Sequence, residues 1–124
     1  MKHQLRILFS RFLQKIHLNN GEYEILKRDY RLHGRGLELE HDFESYNRRI
    51  LDEKLIHPDD EERYRARITL SSLHNFFFDG KKQLSYQFCR QLNNKYIPTV
   101  MEFFAGNRCD VQNPWIVVLI REIS

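Results

Sequence analysis

Asn113 to Ser124 reads N-P-W-I-V-V-L-I-R-E-I-S, and Trp115 to Ile120 within it are apolar without a break. A mostly β-branched run of this kind, opened by a turn-forming Asn-Pro and closed by charge, predicts a strand. A strand that is apolar on both faces needs cover on both. It therefore belongs at the centre of a sheet, with one face on this chain's helices and the other on a further helix or a second subunit. The strand is the last element of the sequence, so Arg121, Glu122, Ile123 and Ser124 at its end are the expected output end of the domain.

The 124 residues suffice for one domain with a single core. Lys and Arg total 20 against 17 Asp and Glu, and both signs are interspersed along the chain. That is a mildly basic surface without the one-sided clustering of a nucleic-acid footprint. Nine Phe need an interior or a partner. Cys89 and Cys109 lack C-x-x-C spacing, so two reduced thiols are expected, with neither a zinc site nor a disulfide scaffold. No window reaches the roughly 18 apolar residues of a membrane span, and no signal-peptide pattern opens the chain. A cytoplasmic protein with no membrane insertion by this segment is expected.

Taken in order, the first eight residues predict a short helix or dimerisation segment, and residues 9–124 a single domain. Phe12, Ile16 and Leu18 alternate with Gln14 and His17 ahead of Asn19-Asn20-Gly21, which predicts a strand, a hairpin turn and a return strand over Glu22 to Lys27. A polar, glycine-containing loop from Arg28 to Gly36 follows. From Leu37 onwards Leu39, Phe43, Tyr46 and Ile50 recur at helical intervals. Leu55-Ile56-His57-Pro58-Asp59-Asp60 ends that helix, and Asp59 with Glu62 three residues on predicts a capping box opening a second one. A third helix begins near Thr69 or Ser71, carries Leu73, Phe76 and Phe77 on one face, and stops at Asp79-Gly80.

The remainder reads as strands. Leu84, Tyr86 and Phe88 alternate with Ser85, Gln87 and Cys89, Asn93-Asn94 turns the chain, and Tyr96 to Phe104 returns it ahead of a polar loop and the final strand. The predicted fold class is α+β, a five-stranded antiparallel sheet with its helices inserted between strands two and three.

Leu55-Ile56-His57-Pro58-Asp59-Asp60 resembles the v-H-P-D-D signature that precedes a helix in PAS domains of the subfamily common in bacterial histidine kinases and diguanylate cyclases. The Asn-Asn-Gly turn, Phe88-Cys89-Arg90 followed by Asn93-Asn94-Lys95-Tyr96, and terminal Arg121-Glu122-Ile123-Ser124 resemble its further landmarks in order, the last standing for a closing D-I-T. The likeness spans about Phe9 to Ser124. Tyr96-Ile97-Pro98 departs from the subfamily's Tyr-x-Trp pair, and Glu122 and Ser124 replace Asp and Thr. The resemblance implies a PAS-like fold and a sensory or dimerising input module of a signal-transduction system. Such a module acts on an effector such as a diguanylate cyclase or histidine kinase, fused to it or supplied by a partner, since no kinase-like or GGDEF-like stretch is present.

Phe76, Phe77, Tyr86, Phe88, Met101 and Phe103 converge between helix and sheet in this reading, either lining a pocket for a small apolar or planar ligand or filling the space themselves. The resemblance adds His74, from the region that supplies a histidine in haem-binding members, although a lone histidine is more often hydrogen-bonded or solvent-facing. No cofactor is identifiable from the residues. Phe88-Cys89-Arg90 differs from the flavin-reactive motif of LOV domains, whose cysteine sits on a helix. Arg121, Glu122 and Ser124 are candidates for a relay to the output, with a solvated tail as the alternative. His57 with Asp59 or Asp60 admits acid–base work, but carboxylates at a helix start are routinely caps. The expectation is a non-enzymatic input domain that binds a small ligand or forms a homodimer. The alternative is a ligand-free structural module for dimerisation or protein interaction.

Overall fold

The computed structural model describes residues 12–27, 42–92, 94–106 and 112–123. Its strands are β1 (Phe12–His17), β2 (Tyr23–Lys27), β3 (Gln83–Leu92), β4 (Lys95–Ala105) and β5 (Trp115–Glu122). Its helices are α1 (Phe43–Asp52), α2 (Glu61–Arg67) and α3 (Leu70–Phe78), with a 3₁₀ turn over Pro58–Asp60 ahead of α2. Among the described residues, these helices fall between β2 and β3. The predicted segment over the first eight residues lies outside the described residues, as do Leu37 and Leu39.

The strands form one antiparallel sheet in the order β2-β1-β5-β4-β3. The apolar run at the end of the chain thus takes the middle place, joining the first hairpin to the second. Directly paired residues share a face of an antiparallel sheet. The inner face therefore carries Ile116, Val118 and Ile120 from β5, Met101 and Phe103 from β4, and Ile16 from β1. These residues form a single buried cluster with Phe43, Tyr46 and Ile50 of α1, Tyr64 of α2, and Leu73 and Phe77 of α3. On the opposite face Leu119 and Val100 are buried too, so β5 is covered on both sides.

Local chemistry explains the boundaries. Glu22 N–H bonds to Asn20 Oδ1 in the β1–β2 turn, where Gly21 has φ +80° and a Cβ would meet Leu70 Cδ2 at 3.3 Å. Glycine meets both demands of that position. Asp42, in extended conformation, accepts from Ser45 N–H and caps α1, so the described helix begins at Phe43. Thr69 does the same for α3 through Ser72 N–H. That helix ends at Phe78, with Gly80 following at φ +87°. Leu92 pairs with Lys95 across a two-residue turn in which Asn94 has φ +65°.

The capping box expected at Asp59 and Glu62 does not form. His57 Nδ1 accepts from Asp59 N–H instead, Pro58 to Asp60 make the 3₁₀ turn, and the Asp60 side chain makes no capping bond to α2. The carboxylate of Asp60 turns toward the edge of β3, where exposed backbone groups compete for it.

Candidate functional site

Three arrangements of chemically capable side chains emerge. One is the edge of β3, where the predicted His-Pro-Asp-Asp motif sits. His57 N–H donates to Cys89 O at 2.8 Å and Gln91 N–H to Leu55 O at 2.7 Å. Asp60 Oδ2 accepts from Cys89 N–H at 2.8 Å, while its Oδ1 and Gln87 O share Arg63 Nη2 at 3.2 and 2.6 Å. Four outward backbone groups of one strand are thereby satisfied. Open strand edges template unwanted pairing, and this segment closes part of one. His57 packs edge-on against Tyr96, whose hydroxyl donates to Lys54 O at 2.8 Å. Asp59 is solvent-exposed with Oδ2 3.8 Å from His57 Nδ1. All three polar residues of the motif thus lie at a helix start on the surface. Those of His57 and Asp60 are engaged in structural bonds.

A second arrangement is the interior between sheet and helices. Phe77, Phe88, Met101 and Phe103 are buried in the one core cluster, and Phe76 and Tyr86 pack against it half-buried. Tyr86 pairs with Met101 across β3 and β4, and the Tyr86 and Phe88 rings stand 6.0 Å apart. His74 is half-buried and packs at a tilt of 49° against Phe78 with centroids 4.3 Å apart, while Phe76 meets the Phe77 ring at 5.0 Å and Lys81 Nζ at 5.0 Å. Six of the seven pocket candidates are therefore gathered on one cluster, and His74 stands at its margin. Among the described residues no three His, Cys, Asp or Glu side chains gather as metal ligands.

The polar residues of this interior were not among the sequence candidates. Tyr64 Oη donates to Asn47 Oδ1 at 2.8 Å, and Asn47 Nδ2 donates to Ile68 O at 3.3 Å, which ties α1 to α2. Burial pushes the Tyr64 phenol well above its usual range, with the Arg90 charge opposing in part. Arg90 itself is 1 % exposed. Gln14, also 1 % exposed, has a side-chain Nε2 with no hydrogen-bond partner among the described residues. Thr99 Oγ1 donates to Phe88 O at 2.9 Å. The only available signal was polar residues at positions where alternation demands apolar ones, as Gln14 and Arg90 do between Phe12 and Ile16, and Phe88 and Leu92.

The third arrangement lies on the opposite face of the sheet. Arg121 Nε donates to Glu102 Oε1 at 3.0 Å, and Glu102 is 3 % exposed. Arg121 pairs with Val100 and Glu122 with Thr99, so these two of the three relay candidates point to opposite faces of β5. Ser124 and Cys109 lie outside the described residues, and Cys89 carries a free, half-buried thiol. No helix among the described residues is long and apolar enough to cross a membrane. In comparison with known proteins, no protein-family model matches the chain, and no curated protein matches it at a significant level.

Proposed function

We propose that the chain is a PAS-like signal-input domain without catalytic activity of its own. In this reading it takes up a small ligand between sheet and helices, or forms a homodimer, and regulates a fused or partner effector of the diguanylate cyclase or histidine kinase kind. The observation that carries the reading is the position of the three described helices between the second and third strands of an antiparallel five-stranded sheet, with the His57 to Asp60 turn ahead of a helix. The central position of β5 adds a route, because a change at the inner face reaches Arg121 and Glu122 along a single strand. Engagement of Asp60 by Arg63 and Cys89 speaks against acid–base work at that motif.

A ligand-free interaction module is the second reading, favoured by the packing of Phe77, Phe88, Met101 and Phe103 into one cluster. Native mass spectrometry of the purified chain, before and after denaturation, with an absorption spectrum of the same sample, separates the two. A non-covalent mass released on denaturation is the expected result for the ligand-binding domain. An apo-dimer favours the interaction module, and a ligand-free monomer overturns both.

A further inference from the structure

The inner face of the sheet is laid out in rows of directly paired residues. One row runs Ile25, Gln14, Val118, Phe103 and Leu84 across all five strands. Gln14 is the only polar member. Its neighbours are large apolar side chains, it is 1 % exposed, and its Nε2 finds no hydrogen-bond partner among the described residues. Burying an amide donor without a partner forfeits its bonds to water and gains nothing in exchange. An aliphatic residue in that place would continue the pattern of the strand. The row beside it carries Ile120, Met101 and Tyr86, so Gln14 shares the inner face with Phe103 and Met101, two of the apolar pocket candidates.

We propose that Gln14 is the recognition residue of the ligand-binding interior, its Nε2 donating to the acceptor oxygen of a small, neutral, otherwise apolar molecule such as a planar carbonyl compound. Neutrality follows from the surroundings. Ile25, Val118 and Phe103 offer nothing to a charge, and Arg90, the buried cation of this face, stands on β3 three rows beyond Leu84. Gln14 thus confers selectivity for an oxygen acceptor over hydrocarbon of the same shape. The inference rests on the ligand-binding form of the proposed function.

The test uses two probes of nearly equal shape, acetophenone and ethylbenzene, titrated into the ¹⁵N-labelled chain and into Gln14→Leu, with affinities read from amide shifts. One hydrogen bond is expected to shift the acetophenone-to-ethylbenzene affinity ratio about tenfold between wild type and Gln14→Leu. The Gln14 side-chain amide resonances should move with acetophenone alone. Gln14→Met is a second variant, should leucine disturb folding. Binding of both probes with an unchanged ratio overturns the role of Gln14 and leaves the ligand-binding interior standing. If neither probe binds to wild type, and Gln14→Leu melts at a higher temperature, the amide sits unsatisfied in a filled core, and both this inference and the ligand-binding reading fall.

Discussion

Asn47 and Tyr64 show how much one buried polar pair asks of its surroundings. The Tyr64 hydroxyl has an acceptor in Asn47, and Asn47 passes a second bond to Ile68 O. Tyr64→Phe removes the donor and strands the amide oxygen, which is expected to cost about 1–2 kcal/mol in urea unfolding at pH 7. Because burial raises the folded phenol above its unfolded value, the stability it lends is whole below about pH 10 and declines at higher pH, where only the unfolded chain ionises. The gap between wild type and Tyr64→Phe should therefore narrow between pH 9 and 11. Asp42 works in the opposite sense. Its carboxyl is held below the usual range first by the Ser45 amide and then by the Ser45 hydroxyl, so its contribution is present above about pH 4 and lost as pH falls through its lowered folded value. Asp42→Ala should cost about 1 kcal/mol at pH 7, with the difference from wild type shrinking on acidification.

At the scale of elements, the segment from Leu55 to Arg63 is a clasp on β3 whose bonds come from both backbone and side chains. Asp60→Ala leaves the Cys89 amide without its acceptor, and Arg63 loses one of its two partners. We expect a loss of about 1–2 kcal/mol and faster hydrogen exchange at Cys89 than in wild type. Unchanged exchange there would show that the clasp does not hold the edge. The end of α3 depends on one backbone conformation. At Gly80 a Cβ would meet nothing within 4 Å, yet φ is +87°, so Gly80→Ala should cost about 1 kcal/mol through backbone strain alone.

Over the whole molecule, the sheet separates an inner face under the helices from an outer face centred on Glu102 and Arg121. Glu102 is nearly fully buried and Arg121 about one-third exposed, so solvent reaches the pair from one side only. Glu102→Gln keeps the shape and removes the charge, and Glu102→Ala leaves the guanidinium without that partner. We expect the alanine variant to lose roughly 2–3 kcal/mol, below the range for a fully buried pair because Arg121 retains water, and glutamine to lose less. Equal losses in the two variants would show that the charge matters at this position and the packing does not.

Much of the architecture was legible from local pattern. Alternation marked β3 and β4, Asn19-Asn20-Gly21 and Asn93-Asn94 marked the hairpins, and Gly80 marked the end of α3, because each reflects a preference of a few consecutive residues. The apolar stretch before Arg121 determined by itself that a strand would lie at the centre of a sheet, since no other place covers both of its faces. What surrounds each polar group was decided only by the tertiary structure. Asp59 and Asp60 look alike in the sequence, yet one faces solvent and the other binds a strand 29 residues away. Gln14 and Arg90 interrupt an apolar alternation and Glu102 looks like an ordinary surface residue, yet what buries all three is the pairing of strands distant in the chain. Local preference is short-ranged, whereas desolvation and hydrogen-bond partnership depend on which residues the completed sheet and its helices bring within reach.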